Sequence, residues 1–202
     1  MMIFTSEIPL KWGGLDVPLL ALEKDWSGRA MQPAAGYCLV KDPEKLWFLA
    51  THRSTATPHP DSRPGEFQPE LWKYDVAELF LGHPPSGRYF EFNLSPNGAW
   101  WCCEFSAPRE AAETGAFPLS EVVTYADLAP DGGWLAAMSL PLDLLEARLD
   151  FGGSSVANVT MILNSPDQRF FSAAPLPGDV PDFHQPGAFP PVKFMALQDV
   201  WK

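Results

Sequence analysis

The chain has 202 residues, with 14 basic and 25 acidic side chains and a formal net charge of -11. That balance argues against a nucleic-acid partner, because binding a phosphate backbone rests on clustered Lys and Arg. Hydrophobic residues at 46% and aromatics at 13% exclude the composition of a disordered chain; the length suits a single domain spanning 1–202 with a sizeable core, and no apolar run approaches the roughly 18 residues of a membrane span.

The N-terminus, Met1-Met2-Ile3-Phe4-Thr5-Ser6-Glu7, has neither a basic leader nor a long apolar stretch. It does not read as a secretory signal, and the expected location is the cytoplasm. Three cysteines, two of them adjacent as Cys102 and Cys103, do not make a disulfide framework. Neighbours on a strand point to opposite faces, so these two are expected to be reduced core thiols. No Cys or His spacing suits a structural zinc.

The dominant hydrophobic period is two. Residues 46–50 (LWFLA) form a short apolar run of strand length. Residues 51–69 are rich in Pro, Gly and Asp and read as a long, proline-stiffened binding loop. In 75–81, Ala77, Leu79 and Leu81 share one face, and Val76, Glu78 and Phe80 share the other. In 88–94, Phe90, Phe92 and Leu94 alternate with Tyr89, Glu91 and Asn93, the pattern of a strand with one buried and one solvated face. The turn cluster His83-Pro84-Pro85-Ser86-Gly87 joins the two runs as a hairpin. Ser95-Pro96-Asn97-Gly98 is a second turn, with Asn-Gly its strongest signal. Residues 99–105 follow as the third strand of a meander, with Trp101, Cys103 and Phe105 on one side.

Further on, Asp131-Gly132-Gly133 precedes a strand at 134–140, which Pro141 stops. Residues 143–148 read as one or two helical turns. In 156–163, Asn158 and Thr160 lie on one face and Val159, Met161 and Leu163 on the other. The segment 173–191 is a second long proline-rich loop, and 192–197 is the last strand. Many short strands, turn-rich connections and one short helix predict an all-β, two-sheet antiparallel β-sandwich of jelly-roll type. A barrel of lipocalin type is the competing architecture.

No nucleophile elbow, phosphate loop or dinucleotide motif is present. Of the four histidines, none stands at metal-ligand spacing with another, and each is expected to be a solvated loop residue. Catalysis is therefore not expected. A binding role has more support. Trp72 follows the first proline-rich loop, at a sandwich edge, where a flat indole can stack on the C–H face of a sugar ring. Glu78 interrupts an apolar face, and a buried carboxylate needs a partner, a groove or a ligand. Glu91 and Asn93 would join Glu78 on one face if the strands pair as a hairpin.

The run Leu71-Trp72, Asp75-Val76, Glu78 to Leu81, then Tyr89 to Phe92 and Gly98, resembles carbohydrate-binding module family 9 and the related DOMON-like domains. Gly133-Trp134, Leu140-Pro141-Leu142, Asn158-Val159 and the closing Phe183-His184-Gln185-Pro186 and Phe189 follow in the family's order. The resemblance implies a β-sandwich with a ligand groove over one sheet, gripped by aromatics and hydrogen-bonded by acidic and amide side chains. Trp72 and Glu78 match such positions. Asn93 and Ser95 occupy the region of amide or basic contacts, with Ser95 where many relatives carry Asn. Ala173 stands where many relatives carry a second Trp, and Phe170 or Phe171 are the candidates to replace it. Relatives also bind structural calcium, although no Asp-rich loop here assigns one. Some DOMON-like relatives bind haem through Met or His; Met138, Met161 and His184 are the residues of that type, with no pairing visible.

The expected function is thus non-catalytic binding of a small carbohydrate. Trp72 would stack, and Glu78, Glu91, Asn93, Ser95 and Asn158 would supply polar contacts. The alternative is a stand-alone interaction domain for a protein partner or another small ligand.

Overall fold

In the computed structural model, which describes residues 1–119 and 121–200, the period-two runs become strands close to where the alternation marks them. In chain order the elements are β1 (Met2–Thr5), β2 (Leu20–Lys24), β3 (Ala30–Lys41), β4 (Lys45–His52), β5 (Val76–His83), β6 (Arg88–Leu94), β7 (Trp100–Ala107), β8 (Glu110–Ala116), β9 (Val123–Leu128), β10 (Trp134–Pro141), α1 (Leu142–Leu149), β11 (Val156–Leu163), β12 (Arg169–Ser172) and β13 (Lys193–Ala196). A 3-10 turn at Leu71–Lys73 precedes β5. Among the described residues the strands form two sheets. A seven-stranded sheet runs β13-β1-β3-β4-β10-β9, with β2 paired to β3, and a six-stranded sheet runs β12-β11-β5-β6-β7-β8. Neither sheet closes on itself, so the architecture is the two-sheet sandwich and not the barrel. Pairing is antiparallel except at β1, which is parallel to both β13 and β3. No hairpin joins β1 to either neighbour, so nothing in the connection forces reversal.

The inner faces carry the alternating apolar sets. Leu39, Phe48, Met138 and Leu140 from one sheet meet Leu79, Phe90, Phe92, Val159 and Met161 from the other, all shielded from solvent. Each such side chain contributes about 1.5–3 kcal/mol on burial. The short helix closes one end of this core with Leu142, Leu145 and Leu149, spaced to lie on one face. At that end Glu104 is buried but well held: Arg88 and Arg148 pair with it, the latter at 3.2 Å, and Thr114 Oγ1 donates at 2.9 Å. A buried carboxylate held by two guanidinium groups is a structural arrangement.

The outer face of the six-stranded sheet departs from the sequence pattern. The alternation predicts a solvated face for Tyr89, Glu91 and Asn93, yet β6 is buried on both sides. The cause is the second proline-rich segment, which lies across the sheet as a strap. Trp26 Nε1 donates to the Gly178 carbonyl (3.1 Å), Arg109 pairs with Asp182 (2.8 Å), and the Ala157 N–H donates to Pro190 (3.1 Å). From this strap Phe183 and Phe189 pack onto Phe80 and its neighbours. A proline-rich segment lowers the entropy lost on fixing such a strap. Two histidines expected to be solvated are not: His184, on the strap, turns inward toward Glu91 with its side chain only 16% exposed, and His52, at the end of β4, is buried.

Candidate functional site

The β5–β6 register puts Glu78 opposite Asn93 and Phe80 opposite Glu91. The β6–β7 register adds Cys103 opposite Glu91 and Trp101 opposite Asn93. On the other side, β11 places Thr160 opposite Glu78 and Asn158 opposite Phe80. All of these project from the same face of the sheet by strand alternation. Of these, Glu78, Phe80, Glu91 and Trp101 line a cleft of about 410 Å³, with Glu78 and Glu91 at its floor, within the range of small-ligand pockets. Its walls are aromatic. Trp72, on the 3-10 turn, and Trp101, Phe105, Phe170 and Phe183 line it together with Phe80. Trp72 is 50% exposed and stands at the rim. Its carbonyl accepts from Gln168 Nε2 (3.1 Å), and Lys73 Nζ sits 5.5 Å from its ring centre.

The turn that presents Trp72 is fixed from below by Asp75. This carboxylate accepts from the backbone N–H groups of Thr57 (3.0 Å) and Ser165 (2.8 Å). It thereby staples the first proline-rich loop and the β11–β12 turn to the edge of the floor. The leading acid of the sequence motif is therefore a structural clamp, and the following one, Glu78, belongs to the cleft.

The floor carboxylates are sparingly supplied with donors. Glu78 is 3% exposed and Glu91 4%. Thr160 Oγ1 donates to Glu78 Oε2 at 2.7 Å. Glu91 Oε2 faces His184 Nε2 at 3.5 Å, longer than an ordinary hydrogen bond. Burial pushes the Glu78 carboxyl up to about 7, with Thr160 opposing. Burial, then the neighbouring Glu78 charge, raises Glu91 well above the carboxylate range, opposed by the nearby Asn93 amide and the Arg109 charge. Two close carboxylates in a poorly hydrated floor favour holding protons. Asn93 is fully buried, and neither end of its amide makes a hydrogen bond of good geometry.

His184 is held in an aromatic cage. Phe105, Phe80 and Tyr89 present their rings to it at centroid distances of 5.0, 5.6 and 6.0 Å. The Arg109 backbone N–H donates to the Tyr89 hydroxyl (3.1 Å), leaving that hydroxyl to donate to His184 Nδ1 (2.7 Å). This arrangement places an N–H at Nε2, facing Glu91. Burial, then the Arg109 charge, holds His184 down to about 4, against Asp182. The imidazole is therefore neutral near pH 7.

Of the residues singled out from sequence, Trp72, Glu78 and Glu91 line the cleft. Asn93 lies on the same face between Glu78 and Trp101. Ser95 is fully buried at the end of β6 and does not line it; its backbone N–H pairs with Ala99 in the turn. Asn158 is also outside the cleft. Its amide donates to Ser172 Oγ (2.9 Å) and accepts from the Ala174 N–H (3.0 Å), fastening the strap to β11. Ala173 packs against the inner core, not the cleft. Phe170 lines the cleft, whereas Phe171 points into the inner core. Trp101, Arg109 and His184 are wall or cover residues that sequence reasoning did not assign to the sugar site; the shared face of Trp101 and Phe105 was the available signal. Met138 and Met161 are buried in the inner core, apart from His184.

Among the described residues no three His, Cys, Asp or Glu side chains gather to hold a metal ion, and no helix is long and apolar enough to cross a membrane. All three cysteines are free and buried, and burial pushes their thiols up to about 12, 12 and 11 for Cys38, Cys102 and Cys103.

No protein-family profile and no curated protein sequence matches the chain. Its fold does have solved counterparts. A protein of Bacteroides uniformis, described as a "putative carbohydrate-binding protein", superposes with a TM-score of 0.69 at 14% identity, over 96% of this chain and 98% of that one. A carbohydrate-binding module of family 9 from Caldicellulosiruptor kristjanssonii, solved with glucose, gives 0.62 at 15% identity, over 97% and 96%. A structure of a family 9 module from the same organism with cellotriose gives 0.61 at 14%, over 97% and 94%. The chain thus has the fold of family 9 modules along nearly its whole length.

Proposed function

We propose that this protein is a non-catalytic carbohydrate-binding module that takes a sugar ring in the cleft over its six-stranded sheet. The observation that carries the reading is the pairing of Glu78 and Glu91, with acceptor capacity to spare, beneath a wall of aromatic rings. A sugar ring presents the matching surface: apolar C–H faces for the rings and a rim of hydroxyl donors for the carboxylates. The fold shared with modules solved with glucose and cellotriose supports the same class. Surface depressions beside the cleft share Phe170 and Pro181 with it and leave room for a second ring.

The placement of the acids supports the non-catalytic reading. Glycoside hydrolysis needs two carboxyl groups flanking the scissile bond. Here both rise from neighbouring strands on one face of one sheet and lie together beneath any ligand.

The test is a titration of tryptophan fluorescence with glucose and with cellotriose. The wild type is expected to show a saturable change with at least one of them. Trp72→Ala should remain folded and bind roughly 10-fold more weakly or worse, the scale of losing one aromatic contact together with its apolar area. A flat response of the folded wild type to both sugars, and to glucosamine as well, would overturn the proposal.

A further inference from the structure

The floor of the cleft carries more potential negative charge than a neutral sugar requires. Around the Glu78 and Glu91 pair, β6 contributes Tyr89 and Asn93, β7 contributes Cys103, and β11 contributes Thr160. On that face β12 offers Phe170 and Ser172, neither of them titratable near neutrality. The covering loops add Arg109, Asp182 and His184. Arg109 is bonded to Asp182, and His184 is neutral near pH 7. Lys73, beside Trp72, is paired with Glu70 at 2.5 Å. Among the described residues no cation is bonded to the pair, and the Arg109 charge reaches Glu91 only from its place beside Asp182.

Two further features point to what is missing. Asn93, fully buried and directly opposite Glu78, makes no hydrogen bond of good geometry and eases the Glu91 charge only weakly. The space above the floor is bounded by aromatic rings, whose faces attract cations as well as C–H groups. A metal ion is a poor occupant, since the described residues supply no third ligand.

We infer that the cleft selects a sugar bearing a primary ammonium group, an amino sugar of the glucosamine kind, with the ammonium seated against the Glu78 and Glu91 carboxylates that line its floor. This rests on the carbohydrate reading above and names the ligand class for that same site. An ammonium brings three donors to oxygens that lack them. The resulting charge-assisted bonds are stronger than those of hydroxyls. The chain's net charge of -11 adds a general attraction for cations. Because the carboxyls favour their protonated form in the empty cleft, an ammonium must displace that proton. Binding then releases protons and strengthens as the pH rises from 5 to 7, whereas binding of a neutral sugar does not.

The experiment is a calorimetric titration of the full chain with glucosamine, glucose and N-acetylglucosamine at pH 7 and pH 5, in buffers of differing ionisation enthalpy. At pH 7 glucosamine should bind about 10-fold or more tightly than glucose, the scale of one charge-assisted hydrogen bond. N-acetylglucosamine, with the charge removed, should show no such gain. The glucosamine preference should shrink at pH 5, and proton release should accompany glucosamine alone. In Glu91→Gln, which keeps size and shape, the ratio of glucosamine to glucose affinity should fall toward one. Glucose binding as tightly as glucosamine at pH 7 would overturn the inference and leave the carbohydrate reading standing. A preference untouched in both Glu91→Gln and Glu78→Gln would overturn it as well, since the ammonium would then sit elsewhere. Binding of none of the three sugars would overturn the inference, and the carbohydrate reading with it where cellotriose also fails to bind.

Discussion

The outer faces of the two sheets are built alike and finished differently. Each is covered by a long irregular segment and each buries carboxylates. On the seven-stranded side the segment before β2 packs Leu10, Leu15 and Val17 over Trp47 and Leu49, and stacks Trp12 on Tyr125 at 5.1 Å. There Asp42, 2% exposed, accepts four hydrogen bonds: from the backbone N–H groups of Leu10, Glu44 and Lys45, and from Trp47 Nε1, all at 2.8–2.9 Å. Burial alone would raise its carboxyl, but these donors outweigh it and hold it below the usual range. On the six-stranded side Glu78 and Glu91 are as deeply buried, yet they are pushed upward. Burial is common to both faces, so the donor supply makes the difference. A saturated carboxylate is part of the scaffold, and an undersupplied one facing a cleft is available to a ligand.

The contrast breaks first at Asp42. Replacing it with Ala strands four donors, and denaturant unfolding should show a loss of about 2–4 kcal/mol. A loss under about 1 kcal/mol would mean that this face does not depend on its staple. The second test turns on pH. Glu78 rises from 4.5 to about 7 in the folded chain, so the folded state holds the proton more tightly than the unfolded one. Its contribution to stability is present below pH 4.5 and lost as the pH climbs through 7, by up to roughly 3 kcal/mol. Asp25 runs the other way. Burial would raise it, but Ser27, Arg169 and the Arg29 backbone bring it down to about 2, so its contribution is present above pH 3.8 and lost as the pH falls through 2. Melting curves of Glu78→Gln should match the wild type near pH 4.5 and exceed it at pH 8. Equal pH dependence of the two proteins would show that Glu78 is not undersupplied.

Smaller effects sharpen the boundary of the site. Asn158→Ala removes the two side-chain hydrogen bonds that tie β11 to Ser172 and Ala174 at the start of the strap and should cost about 1–2 kcal/mol, while sugar affinity stays within about twofold. Trp72→Ala should leave stability within about 0.5 kcal/mol, because half of that side chain already faces solvent, while its effect on affinity remains large. A melting temperature as depressed in Trp72→Ala as in Asp42→Ala would make Trp72 a core plug and not a wall.

The meander β5-β6-β7, the helix and β11 were legible in the sequence because each has one strongly alternating face or a clear turn at its end. The strands β1 to β3 were not. Their apolar residues are interrupted by Pro33 and Gly36, and they are ordered by partners far away in the chain, β13 among them. Within the site, Glu78 was legible as a carboxylate breaking an apolar face, and Trp72 as an aromatic following a loop. The burial of Glu91 and Asn93 was not, since it depends on a strap more than 80 residues further along the chain. Nor could sequence separate Glu78 from Asp75, Asp42 or Glu104. Those carboxylates differ in the donors that reach them, which only the fold brings together.

The most direct test of the account is a map of backbone amide chemical shifts during titration with a sugar. It predicts perturbations concentrated at Glu78, Glu91, Asn93, Trp101, Phe170 and His184, with Trp12, Asp42 and Trp47 unmoved. Shifts gathered on the seven-stranded face, or none at saturating sugar, would contradict it.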